Sequence, residues 1–101
     1  MNDKILTLLG FASKSGNLSF GADAVKESIK KGKAKLVLVA HNISPKSLKE
    51  ISFTAEKFGI RVISVVYTIE TLSHATGHKG GIISVNESGF AETIQGGIAN
   101  G

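Results

Sequence analysis

Cysteine is absent from the 101 residues and proline occurs once. The first absence excludes a disulfide framework, thiolate catalysis and any cysteine-based zinc site. No run of 18 apolar residues is present. The longest, Leu36 to Ala40, suits a buried strand and is too short to cross a membrane. Asp3 and Lys4 precede a periodic apolar stretch, and the long apolar core of a secretory signal is missing, so a cytoplasmic protein is expected. Aromatics are sparse, five Phe and one Tyr, and most fall at core spacings. What is there is 42% hydrophobic, enough for a packed core in a chain short enough to form one domain over residues 1–101.

Acids are outnumbered, eight against twelve Lys and Arg, for a net charge of +4 and a pI near 9.5. The excess is unevenly placed. Lys26, Lys30, Lys31, Lys33 and Lys35 put five cations into ten residues, which is either an electrostatic footprint for a polyanion or a solvated helix face.

Helix and strand signals alternate, without linkers or repeats. Ile5, Leu8, Leu9 and Ala12 fall at i, i+3, i+4 and i+7 and predict a first helix, with Gly16 as its stop. A second helix is expected from about Ala22 to Lys31, with Ala22, Val25 and Ile29 inward and Gly32 ending it. The apolar run from Leu36 reads as a central strand covered on both faces. Ser44 and Pro45 open a third helix with Leu48, Ile51, Ala55 and Phe58 as its buried stripe and Gly59 at its end. Residues 61–67 read as a strand, and Thr68 as the cap of a short helix stopped by Gly77. Residues 82–85 read as another strand. Ser88 is expected to cap a last helix built on Phe90 and Ile94, fraying through Gly96, Gly97 and Gly101. An extra short strand fits Asn17 to Phe20. The alternation predicts an α/β fold with a small, mostly parallel sheet and helices on both faces. In such a sheet the loops at Asn17–Asp23, His41–Pro45 and Gly77–Gly81 would gather at one end, where ligands bind.

No catalytic set emerges from the polar residues. His74 and His78 are spaced i, i+4, yet Gly77 interrupts their helix and no third metal ligand lies nearby. His41 follows a buried strand without an evident nucleophile or carboxylate partner, and no nucleophile-elbow pattern occurs. Gly77-His78-Lys79-Gly80-Gly81 is glycine-rich but precedes a strand, unlike the phosphate loops that precede helices. It offers flexible backbone with free N–H groups and one cation, or it is a plain turn. Gly21-Ala22-Asp23 opens the second helix, whose N-terminus suits phosphate. There Asp23 either complements the helix dipole or accepts from a base edge. Phe20 is a candidate stacking platform or a hydrophobic staple.

Four stretches carry a resemblance to a known family. They are Leu8-Leu-Gly-Phe-Ala-Ser-Lys-Ser-Gly16, Gly32-Lys-Ala-Lys-Leu-Val-Leu-Val-Ala40, the Gly77 turn before the last strand, and Ser88-Gly-Phe-Ala91. Together they cover nearly the whole chain, and it resembles the kink-turn-binding ribosomal protein family (the L-seven-Ae and L-thirty-e group), closest to small bacterial ribosomal-like members. The resemblance implies a three-layer α/β/α sandwich with a mixed four-stranded sheet, no enzyme activity, no metal or cofactor, and a monomer that grips kinked, structured RNA, ribosomal RNA included. It implies contacts from Lys14, Asn17, Gly21, Asp23, Lys26 and Lys30 around the second helix. His41 and Asn42 after the central strand, and Gly77, His78, Lys79 and Gly80 before the last, complete the set. Strong kink-turn binders carry Asn-Glu at the start of that helix and a Lys one turn on; here the positions hold Asp23, Ala24 and Glu27. Lys26 lies about a hundred degrees away around the helix. Those departures imply RNA binding with a relaxed preference for the standard kink-turn. They also leave open a rival in which the fold has become a protein–protein module for an acidic partner.

Overall fold

The computed structural model describes residues 3–100. Nine elements follow in order: α1 (Lys4–Lys14), β1 (Leu18–Phe20), α2 (Ala22–Lys30), β2 (Leu36–Val39), α3 (Pro45–Lys57), β3 (Val62–Ser64), α4 (Ile69–Thr76), β4 (Ile82–Val85) and α5 (Ser88–Asn100). The sheet order is β1-β4-β2-β3. Both central strands are buried along their whole length, as the unbroken apolar run of β2 requires.

Side-chain alternation divides the core into two halves. Leu36, Leu38, Ala40, Ile83 and Val85 face α1, α4 and α5, where Leu9, Leu72 and Ile94 complete the packing. Val37, Val39 and Ile82 face α2 and α3, against Val25, Ile29, Ile51 and Ala55. This is the expected three-layer α/β/α sandwich. Ser84 is fully buried in the strand between these halves, and its hydroxyl donates to Asn86 Oδ1 at 2.9 Å. Asn86 Nδ2 donates to Ser19 Oγ, which pairs with Ser28 Oγ at 2.7 Å, so a polar relay ties β4, β1 and α2 together.

The sheet is mixed, but the expectation of mostly parallel strands is corrected. Only β2–β3 is parallel; β2–β4 and β1–β4 are antiparallel. The reason lies in α4. The 13-residue α3 returns the chain along the sheet, so β3 starts where β2 starts. The α4 helix begins beside the C-terminal end of β2, where Ile69 N–H donates to Asn42 Oδ1 at 2.8 Å. Its exit loop comes back to that same end, where Ala40 N–H donates to Gly81 O at 2.7 Å. With no return along the sheet, β4 must run the other way.

Other local readings shift as well. The strand expected over 61–67 is regular only at Val62–Ser64. Past it, Val65 N–H still donates to Val39 O and Tyr67 O still accepts from His41 N–H, outside a regular ladder. Leu48 and Phe58 are 38% and 44% exposed. A helix of about 20 Å overhangs strands of about 13 Å, so only Ile51 and Ala55 of that stripe are buried. The α5 cap is Glu87, whose carboxylate accepts from the N–H groups of Gly89 and Phe90, rather than Ser88. The same helix runs through Gly96 and Gly97 without fraying, while Gly101 lies outside the described residues. A Cβ on Gly97 would stand 2.5 Å from Ile5 Cδ1, so the bare backbone lets α5 close on α1.

Two contacts lock the loop end of the sheet. Tyr67 Oη donates to the Asp3 carboxylate at 2.6–2.7 Å, and Asp3 also caps α1 by accepting from the N–H groups of Ile5 and Leu6. One carboxylate thus fixes the start of α1 to the β3–α4 turn. The Tyr67 hydrogen bond is the chief reason the Asp3 carboxyl lies below its ordinary value, against an opposing push from burial. Burial first, then the bond and charge of Asp3, push the Tyr67 phenol up to about 12. Gly81 is the second lock: a Cβ there would meet Ile69 Cγ1 at 2.6 Å and Ile43 Cγ2 at 2.7 Å.

Two outcomes follow from these locks. Gly81→Ala should lower unfolding free energy by about 1–3 kcal/mol, the usual range for overpacking, as measured by denaturant titration. Asp3 stabilises the fold above the ordinary carboxylate range, and that contribution is lost as pH falls through its depressed pKa. Tyr67 acts in the opposite sense: its contribution is whole below its ordinary value of 10.0 and is lost as pH rises through about 12. Since Tyr67 is the one tyrosine and tryptophan is absent, the phenolate ultraviolet band should titrate near 12; in Asp3→Asn it should move down but stay above the ordinary value of 10.0, because burial, the larger cause, remains.

Candidate nucleic-acid interface

The turn from β1 into α2 begins at Gly21, whose φ of 87° suits glycine and whose N–H donates to Ile82 O at 2.9 Å. Glycine cannot cap a helix with a side chain, and α2 has no side-chain cap. Its first N–H groups therefore open outward with the positive end of the helix dipole. Asp23 sits exposed in this first turn.

Beside this helix start lies the α4–β4 loop. A Cβ on Gly80 would lie 3.6 Å from Gly21 N and 4.0 Å from Phe20 Cβ, so the two loops are in contact. The rings of Phe20 and His78 stack with centroids 4.4 Å apart and an interplanar angle of 14°. Phe20 also packs on the core, which anchors the pair. The stacking surface open to solvent is consequently that of His78, which is exposed. The sequence marks Phe20 alone as a platform. Its partner is missed because the two rings are 58 residues apart in the chain.

The loop is less open than glycine content implies. Gly77 takes the left-handed conformation at the C-cap of α4 and donates to Ser73 O; His78 N–H donates to Thr76 Oγ1 and Gly80 N–H to Ser73 Oγ. Three of its five N–H groups are thus engaged, which favours the plain turn over the flexible loop with free donors. Thr76 Oγ1 in turn donates to Leu72 O at 2.9 Å and reaches His78 O at 3.3 Å. What this rigid loop presents is the His78 ring and the exposed Lys79 chain.

The third loop contributes less through side chains. His41 is exposed and its N–H is committed to Tyr67 O. Asn42 is a positioning residue, because Oδ1 accepts from Ile69 N–H and Nδ2 donates to Glu70 Oε1 at 3.3 Å. Glu70 is fully exposed, and its carboxyl is held below the usual range by its own backbone N–H first and by Asn42 next.

Three expected residues stand apart from this group. Asn17 lies at the other end of β1, where its carbonyl accepts from Asn86 N–H. Lys30 ends α2, about 12 Å along the axis from Ala22 and therefore far from Gly80. Lys26 turns toward α3 and pairs with Glu50 at 3.9 Å. Lys14 is exposed in the last turn of α1 beside Ser13, whose hydroxyl donates to Thr76 O at 2.7 Å near the His78 loop. The assembled group is therefore Gly21, Asp23, His41, Gly77, His78, Lys79 and Gly80, with Phe20 behind it and Lys14 at its flank.

The fold has parallels among known proteins. A search of curated proteins returned no sequence match. Among solved structures, a protein of unknown function from Bacillus halodurans C shares 25% sequence identity with a TM-score of 0.91, over 97% of this chain and 99% of that one. The Giardia lamblia 15.5kD RNA binding protein shares 16% identity with a TM-score of 0.79, over 99% of this chain and 89% of its own, a likeness of fold. The model of one protein family matches residues 3–92, which spans every element from α1 to the start of α5. The chain belongs to the ribosomal protein L7Ae/L30e/S12e/Gadd45 family, whose RNA-binding members are not catalysts.

Proposed function

We propose that this protein binds structured RNA through the loop end of its sheet, with a bent or kinked backbone as the feature recognised. The observation that carries the reading is the meeting of an uncapped helix start with an exposed, backed aromatic ring: Gly21 and the first N–H groups of α2 stand beside the His78–Phe20 stack. Backbone donors at a helix N-terminus suit a phosphate, and an aromatic face takes a base that a kink has freed from its stack. Both features recognise shape more than sequence. Family membership and the fold shared with an RNA binding protein support the same reading.

The residue set limits its selectivity. Asp23 accepts hydrogen bonds but brings negative charge near phosphate, Ala24 supplies only a methyl, and Glu27 pairs with Lys31 at 3.1 Å. Without the amide–carboxylate–lysine combination of strong kink-turn binders, reading of a guanine edge weakens while backbone and stacking contacts remain. The expected behaviour is RNA binding with a modest preference for kinked over straight forms, ribosomal RNA being one natural source of such shapes.

Fluorescence anisotropy against a standard kink-turn, its straightened mutant and a plain duplex tests this at low and physiological salt. A modest kink preference should be seen, and His78→Ala should remove about 1–3 kcal/mol of binding to the kinked RNA, the range for one base–aromatic stack. Absence of binding to all three RNAs would transfer the loop end to a protein partner. A strong preference undiminished at physiological salt would show that Asp23 and Ala24 still read the kink.

A further inference from the structure

The lysines that make this chain basic do not surround the loop end. Lys30 closes α2, and Lys31, Lys33 and Lys35 follow on the way into β2. Lys35 N–H donates to Val85 O, at the end of β4 farthest from Gly81. Arg61 belongs to the same end, since its carbonyl accepts from Val37 N–H. The run of α2 separates this pole from Gly21 by about 12 Å or more.

Charge pairing leaves this pole positive. Glu27 engages Lys31, and Glu87 is committed to capping α5. Lys30, Lys33 and Lys35 form no ion pair among the described residues and are exposed. At the loop end, by contrast, Asp23 and Glu70 stand against Lys79, Lys46 and the flanking Lys14, which leaves it close to neutral. The geometry adds an independent observation. Lys33 and Lys35 flank a depression of about 440 Å³, open to solvent and walled by Asn17, Ser19, Ser28 and Asn86. Of these, Asn86, Ser19 and Ser28 belong to the relay that runs on to the buried Ser84 and are hydrogen-bonded to one another. A polar, open trough with two cations at its rim fits the phosphates of a continuous backbone, which stays hydrated while lysines neutralise it.

We infer that this pole is a second RNA surface, distinct from the loop end, which takes the phosphodiester backbone of an RNA helix without regard to sequence. One molecule then holds two RNA segments at opposite ends of its sheet. The inference goes beyond the loop-end reading and does not need it to be correct.

The test uses the full chain and a variant carrying Lys30→Gln, Lys33→Gln and Lys35→Gln, all surface changes, with thermal melting to confirm an intact fold. Affinity for a plain RNA duplex is measured across a salt series. The slope of log affinity against log salt should fall by about two to three in the variant, close to one per lost phosphate contact. Its kinked-over-straight preference should stay as in the unmodified protein. An unchanged slope overturns the inference. So does a loss of the kinked-over-straight preference in the folded triple variant, which would mean a single shared site. His78→Ala separates the two readings, because it acts on the kink preference and leaves the duplex slope alone.

Discussion

The antiparallel pairing of β2 with β4 is the constraint on which the rest depends. Residues Leu36 to Val39 pair with Val85 to Ile82 in register, and all eight are buried. Such a ladder leaves no backbone group for water and no side chain for solvent, so both faces must be covered by helices. The opposite direction of β4 also decides where the loops fall. Because β4 enters the sheet at the end where β2 leaves it, the α4–β4 loop arrives beside the β2–α3 loop, and Gly81 is packed against Ile43 and Ile69. β1 pairs with β4 in turn and delivers Gly21 to the same place. A candidate site with residues from positions 21, 41 and 78 is a consequence of strand direction.

Much of this is legible in the sequence, and most of the failures, the Glu87 cap of α5 apart, have a common origin. Helix caps such as Ser44 and Thr68 and glycine stops such as Gly77 are local chemistry, so they read directly. The buried strands read from unbroken apolar runs. Strand direction does not, because it depends on whether the intervening helix returns along the sheet. That is how a mostly parallel sheet was expected and a mostly antiparallel one found. The same long-range geometry hides the Phe20–His78 stack and the Asp3–Tyr67 bond, whose members are 58 and 64 residues apart. It also explains Lys30 and Asn17: their chain neighbours reach the loop end, but α2 and β1 each lead away from it.

Separating the two ends clarifies what each kind of residue contributes. At the loop end the useful groups are rigid and nearly neutral: open amides of a helix start, a ring backed by another ring, and a glycine where any side chain would collide. On the proposed reading such a surface selects by fit. At the opposite end the groups are long, flexible and charged, and they add affinity that salt screens. A chain with Asp23 and Ala24 where the family resemblance implies an amide–carboxylate pair would, on the proposed reading, keep RNA through the second kind of contact while its selectivity falls. On the proposed reading, the basic composition and the altered motif belong together, with charge and recognition placed at different poles.

The most direct test of that division is amide chemical-shift mapping of the isotopically labelled protein, titrated with a kinked RNA at physiological salt. The account predicts that the amides of Gly21 to Ala24 and His78 to Gly80 shift first, with those of Lys33 and Lys35 following only as salt is lowered. Shifts confined to the Lys30–Lys35 pole at every salt concentration would contradict it, and would leave the loop end without a role in RNA recognition.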